Sequence, residues 1–344
     1  MENIIAFHSY KGGTGKSTIA ANCAAVLAKK GYQVCLIDLD VYAPSLQSYF
    51  DYKRSKSITD FLFGQADVQE VMVDSTSVLY EQNDDGAAKS TSLMGGDSSS
   101  IDDNLEKSKG KEGKLWVGFS NTKKQDIQKL EAGTNEEKKQ MFRRLIYLRE
   151  SLITNYSADY ILIDTSPGIR YWSINSLAVA DIFLLTLKMG DLDIDGTKLM
   201  AEEIYTNFTN NGGKSFLLGN RVAGYCIPFS SHRHNKGNNS EISSGPYRSV
   251  SNHNKTMNSS DKYSTSVENN LEEQQFSTTT VPQQSELDFM NTLSAEIGMK
   301  VISTIPCYCD IQFTRKEFLT VLRYPEHPFA KQIEELINAI QTLK

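Results

Sequence analysis

Long apolar runs are absent from this chain. No stretch approaches the ~20 consecutive apolar residues of a bilayer-spanning helix. The opening MENIIAFHSY has neither the basic start nor the extended apolar core of a secretory signal. Cysteine is scarce as well. Cys23, Cys35, Cys226, Cys307 and Cys309 are odd in number and scattered among apolar neighbours, without the framework of a disulfide-stapled secreted domain. An excess of positive charge is also missing: 36 Lys and Arg against 42 Asp and Glu leave a net charge of −6. That balance argues against bulk attraction to nucleic acid or to an anionic membrane, while leaving room for a local basic patch. Together these absences lead us to expect a soluble, cytoplasmic protein.

Two segments lack the apolar side chains needed to offset the entropy of ordering. Residues 81–113 read as a flexible insertion, and residues 230–284, rich in Ser, Asn, Thr and Gln, as a low-complexity disordered one. The rest of the 344 residues is of single-domain size. It alternates short buried-strand patterns (NIIAFHS, YQVCLIDLD, 115–120, 159–166, 181–188, 214–222, 300–306) with helical ones (STIAANCAAVLAKKG, 136–154, 195–210, 286–298, 329–343). Continuous apolar strands suit burial on both faces, and strand–helix alternation implies an α/β fold, a mainly parallel doubly wound sheet flanked by helices.

Between the first strand and the first helix stands SYKGGTGKST, residues 9–18. It is almost the phosphate loop G-x-x-x-x-G-K-[ST], except that Tyr10 stands where the first glycine belongs, with Lys11 after it. Gly12, Gly13 and Gly15 let backbone N–H groups curl round an anion at a helix N-terminus. In such a loop Lys16 reaches the β and γ phosphates and Ser17 ligates Mg²⁺. A second lysine at the mouth of a loop that already has Lys16 could serve the phosphates of another subunit. Elsewhere CLIDLD ends a strand with Asp38 and Asp40, two acids that share a face if the strand continues. YILIDTSPGI places Asp164 after four apolar residues, where a carboxylate can hold Mg²⁺ through water.

These motifs resemble those of the ParA/MinD ATPases, a P-loop NTPase family with a deviant phosphate loop K-G-G-x-G-K-[ST]-[ST], matched by Lys11, Gly12, Gly13, Thr14, Gly15, Lys16, Ser17 and Thr18. The resemblance implies a Mg²⁺-dependent ATPase that binds ATP and ADP and dimerises around ATP, with Lys11 reaching the partner's phosphates. It implies that Asp38 orders the water shell of Mg²⁺ and that Asp40 positions the attacking water. Asp164 takes the Walker B position, and Thr165, Pro167 and Gly168 form switch II. Asn220 and Arg221 in LLGNRV, and Pro306 in TIPCYCD, match the adenine-binding positions. The implied role is an ATP-gated switch in partitioning or positioning a cargo, with a protein partner that stimulates hydrolysis and non-specific DNA as a further candidate partner. Two other readings stay open: a metal or iron–sulfur carrier, and a nucleotide-gated scaffold with negligible hydrolysis.

Other features have plainer readings. Cys307 and Cys309 form C-Y-C, and two thiolates per subunit could share a metal across a dimer, yet free cysteine is commonly buried packing. His232 and His234 fall in the second insertion and read as solvated. The final helix places Phe329, Ile333, Leu336, Ile337, Ile340 and Leu343 on one face. It lacks the basic face of a membrane-seeking helix, so it should pack on the domain. Arg143, Arg144 and Arg149, with Lys138 and Lys139, could meet DNA phosphates or form a charged solvated face with the interleaved Glu136, Glu137 and Glu150.

Overall fold

The computed structural model describes residues 3–50, 56–80, 112–121, 123–222, 284–312 and 318–343. The chain divides into two units, one of Met1–Pro228 with Thr280–Lys344 and the other of Phe229–Thr279, the latter wholly outside the described residues. Both expected insertions, His232, His234 and Cys226 also lie outside them, apart from residues 112, 113 and 284 at the edges.

Among the described residues eight strands form one sheet: β1 Asn3–His8, β2 Gln33–Leu39, β3 Met72–Asp74, β4 Lys114–Gly118, β5 Tyr160–Thr165, β6 Ile182–Leu187, β7 Lys214–Val222 and β8 Val301–Pro306. Their order is β3-β4-β2-β5-β1-β6-β7-β8. All neighbours pair in parallel except the short edge strand β3, which runs antiparallel to β4. The seven apolar runs expected as strands are the seven parallel strands. The antiparallel β3 is too short to show a period.

The helices are α1 Lys16–Lys29, α2 Ile58–Leu62, α3 Val68–Val71, α4 Lys124–Ala132, α5 Asn135–Asn155, α6 Tyr171–Leu177, α7 Asp191–Met200, α8 Thr206–Asn210, α9 Gln284–Ile297, α10 Cys309–Gln312, α11 Thr320–Arg323 and α12 Pro328–Gln341. They cover both faces of the sheet. On one face α1, α11 and α12 pack over Ile5, Phe7, Leu36 and Leu162. On the other α2, α5 and α7 pack over Ile4, Ile37, Ile163 and Leu185. The alanines of α1 are buried, and α12 packs against it on the same face of the sheet. Gly31, at φ 92, ends the hairpin-like exit of α1 and donates its N–H to Ala28 O at 3.0 Å.

One helical expectation changes. A single helix over 195–210 is in fact α7, a π-helical turn at Ala201–Tyr205 and α8, and it begins earlier, at Asp191. The wider turn shifts the apolar phase midway, which blurs a 3.6-residue pattern.

The last helix packs on the domain as expected: Phe329, Ala330, Ile333, Leu336, Ile337 and Ile340 are each at most 4% exposed. Among the described residues no helix is long and apolar enough to cross a membrane. The arginines of α5 are engaged within the fold. Arg144 lies over the Phe61 ring and donates to Phe61 O, Arg143 pairs with Glu136, and Arg149 pairs with Glu150 and Asp181. Because α12 is core, Leu336→Ala should lower unfolding stability by about 2–5 kcal/mol in a urea titration of the full chain. A loss under ~0.5 kcal/mol would mean that this face does not pack.

Candidate functional site

The site lies where β1, β2 and β5 deliver their C-terminal ends, beside the point at which the strand order reverses, the usual place for a ligand in an open α/β sheet. Gly13 and Gly15 take left-handed φ values of 72° and 92° as the chain leaves β1 and enters α1. Gly15 is the N-cap of α1 and supplies no side chain to its first amides, and no acid stands in the first turn. The N-terminal N–H groups are thus left for an anion. Gly15 is doubly constrained, because a Cβ there would also overlap the amide nitrogen of Asn220.

Lys16 is 5% exposed and donates to Ser9 Oγ at 3.0 Å, while Ser9 Oγ donates to Lys11 O at 2.6 Å. Burial lowers the pKa of Lys16, opposed by the charges of Asp164, Asp40 and Asp193. Lys11 is half-buried at the loop mouth.

Asp38 and Asp164 are register partners on β2 and β5, so their carboxylates sit side by side, both fully buried. Asp38 accepts from the N–H of Asp40 at 2.9 Å and of Leu46 at 3.4 Å. Its pKa is nevertheless raised well above the carboxylate range, by burial first and then by Asp164 and Asp40. Asp164 is pushed up to about 7 by burial, with Asp40 adding and with Lys16 and the nearby Ser17 hydroxyl opposing. Neither carboxylate oxygen of Asp164 is in hydrogen-bonding geometry with a described donor. An orphaned buried carboxylate beside a second acid and a serine hydroxyl fits Mg²⁺, a hard cation that takes oxygen ligands and waters. Asp40 lies just past β2 and does not continue it. Its Oδ1 accepts from the N–H of Tyr42 and Ala43, yet its charge is felt by Asp38, Asp164 and Lys16.

The segment after β5, residues 165–168, runs directly over the loop. Thr165 Oγ1 donates to Phe7 O at 2.9 Å, Pro167 lies against Gly12, and the N–H of Gly168 (φ 86°) donates to Ser9 O at 2.8 Å. Asn220 Nδ2 donates to Thr14 O at 2.6 Å, and Thr18 Oγ1 shares a 2.8 Å hydrogen bond with Tyr49 Oη. Asn220 and Arg221 stand at a register break between β7 and β8, where Arg221 takes a left-handed φ of 53°. Strain of this kind concentrates at functional sites. Both residues, with Pro306, Gly15 and Thr18, line a cleft completed by Tyr308 and Phe318, whose aromatic and apolar walls suit a planar base. Cys307 is half-buried just beyond β8. The side chain of Cys309 lies outside the described residues, and among the described ones no cluster of three or more His, Cys, Asp or Glu could hold a metal.

Some residues at the site carry no sequence motif. Asp193 on α7 accepts the N–H of Lys188 at 3.1 Å, and its other oxygen is buried without a described hydrogen-bond partner. The Nζ of Lys188 stands 3.6 Å from where a Cβ of Gly13 would lie, a third lysine at the loop. The acid run MGDLDIDG after β6 was the available signal, but only the fold brings it beside the loop.

The sequence model of a family described as AAA domain matches residues 2–211. The chain belongs to the ParA/MinD family of P-loop ATPases. An iron–sulfur cluster carrier protein of Aquifex aeolicus is 48% identical over 60 residues, 17% of this chain and 16% of that protein. The flagellum site-determining protein YlxH of Helicobacter pylori is 46% identical over 68 residues, 20% of this chain and 23% of that protein. The chain thus spans less than a quarter of the length of either relative. The septum site-determining protein MinD of Pyrococcus horikoshii, solved with Mg-ADP, superposes with a TM-score of 0.56 at 14% identity, covering 100% of this chain and 97% of that one. That likeness is one of fold.

The close approach at Gly15 is testable without any ligand. Gly15→Ala should cost about 1–3 kcal/mol in urea unfolding. Adding Asn220→Ala, which removes the overlap but not the φ strain, should restore part of that loss. A double variant no more stable than Gly15→Ala would place the whole cost in the backbone.

Proposed function

We propose that this protein is a Mg²⁺-dependent ATP hydrolase whose ATP-bound form pairs two copies, and that hydrolysis times its hold on a cargo that it partitions or positions. The observation that carries the reading is the orphaned carboxylate of Asp164, buried beside Asp38 and Lys16 at the mouth of a glycine-rich loop. Gly12, Gly13, Thr14, Gly15 and Lys16 would cradle the phosphates, and the cleft of Asn220, Arg221 and Pro306 would take the base. Ser17, with Asp38 and Asp164 around it, would hold Mg²⁺, which when bound neutralises charge on the phosphates. Asp40 orients the attacking water, and Gly168 can carry switch II towards a γ-phosphate. Among the described residues the Lys11 side chain makes no ion pair or hydrogen bond that would compete with a role across the dimer.

Membership of the ParA/MinD family, and the Helicobacter relative named for fixing the site of a flagellum, support the positioning role. The Aquifex relative favours a second reading, a carrier of iron–sulfur clusters, in which Cys307 and Cys309 would be the ligands to examine.

Light-scattering mass of the full chain with ADP and with ATP plus Mg²⁺, together with elemental analysis of the same sample, separates the two. A monomer that doubles only with ATP and carries no iron supports the switch; a constitutive dimer with stoichiometric iron supports the carrier. Lys11→Ala should abolish the ATP-dependent doubling, and an unchanged dimer would remove its trans role. Asp40→Ala should leave ATP affinity within about threefold while lowering kcat about 100-fold or more. Lost affinity in a folded variant would overturn the assignment of Asp40.

A further inference from the structure

His8, the last residue of β1, is fully buried and paired in the sheet with Leu185 of β6. A buried imidazole needs partners for both ring nitrogens. Here they come from two elements far apart in sequence: Nε2 is 3.2 Å from Gly168 O, and Nδ1 is 2.9 Å from Tyr205 Oη. A carbonyl can only accept, so Nε2 carries the proton, Nδ1 accepts, and the tyrosine hydroxyl donates. The tautomer is therefore set by the fold. Burial, with the charge of Lys16 adding, pulls the pKa of His8 down to about 3, against the pull of the Gly168 carbonyl, so the ring is neutral.

Both partners occupy uncommon backbone. Gly168, in the left-handed region, is gripped at both of its peptide groups, its N–H by Ser9 O and its C=O by His8, consecutive residues at the exit of β1. Tyr205 closes the π-helical turn between α7 and α8, is fully buried, and packs edge-on against Phe183. Such turns are rare and cluster at functional sites. The same helix is tied to the loop a second time, because Gly196 of α7 leaves the space that the ring of Tyr10 fills.

We propose that His8 is a positioning residue for ATP turnover: by donating to Gly168 O it fixes switch II over the phosphate loop, and by accepting from Tyr205 it couples that conformation to the π-helical turn. This rests on the ATPase reading above. The ring is not catalytic, since its two nitrogens are spent on the protein.

The test uses three variants of the full chain. His8→Gln sets an amide nitrogen near the place of Nε2, keeping a donor for Gly168 O. His8→Asn sets an amide oxygen near the place of Nδ1, keeping an acceptor for Tyr205. Tyr205→Phe deletes the hydroxyl. We expect His8→Asn to lower kcat about tenfold with ATP KM changed less than about threefold, His8→Gln to recover most of that loss, and Tyr205→Phe to fall between. In ¹⁵N-histidine spectra of the nucleotide-free protein, the resonance lost in His8→Gln should be the neutral Nε2–H tautomer and should shift on adding ATP and Mg²⁺. An Nδ1–H tautomer, or wild-type kcat in His8→Asn, overturns the inference. So does a parallel fall of kcat, ATP affinity and melting temperature in all three variants, which marks a merely structural histidine. Wild-type protein that neither binds nor hydrolyses ATP overturns the ATPase reading and the turnover role together, while the nucleotide-free tautomer still judges the pin itself.

Discussion

Two carboxyl groups, buried side by side at the C-terminal ends of adjacent strands, are the constraint around which the rest of this site is arranged. The register of β2 on β5 places Asp38 opposite Asp164, and neither reaches water. Isolated burial of such groups is among the most costly arrangements a fold can hold, so something must compensate. Backbone N–H groups of Asp40 and Leu46 serve Asp38, and the charge of Lys16 serves Asp164. What remains is that neither oxygen of Asp164 meets a donor in hydrogen-bonding geometry among the described residues, and this marks how far the site departs from a structural ion pair.

The same geometry explains why Lys16 is buried. A lysine at the first position of a helix has little reason to lose its hydration, and burial does lower its pKa. Three acids from three elements, Asp164 on β5, Asp40 after β2 and Asp193 on α7, hold it there, and Ser9 receives its ammonium. A phosphate arriving at the loop would exchange the hydroxyl of Ser9 for a full negative charge, a gain that a solvated lysine could not offer.

Much of the fold was legible because the central strands are buried on both faces and so read as unbroken apolar runs. Elements outside that rule were not. The short α2 and α3 depend on capping boxes, Ser57 with Asp60 and Asp67 with Glu70, local signals that stand in the sequence but predict a start and not a length. At the site the legible residues were those whose chemistry is tied to a fixed local spacing: the glycines, Lys16, Ser17 and the strand-end acids. Lys188, Asp193 and His8 became functional candidates only through tertiary contacts, since no spacing along the chain relates position 8 to positions 168 and 205.

Tyr10 shows how a departure from a motif can be read physically. A glycine is required where φ is positive or where a Cβ has no room, and among the described residues the non-glycine positions with positive φ are Ser157 and Arg221, not Tyr10. The demand for glycine in this loop therefore falls on Gly13 and Gly15, and position 10 is free to carry a side chain if space is found for it. Gly196 supplies that space, since a Cβ there would collide with the tyrosine ring. A large residue at the loop mouth and a small one on α7 thus form one contact. It anchors the segment just before Lys11 to a helix, so that a rigid base carries the half-buried lysine at the loop mouth.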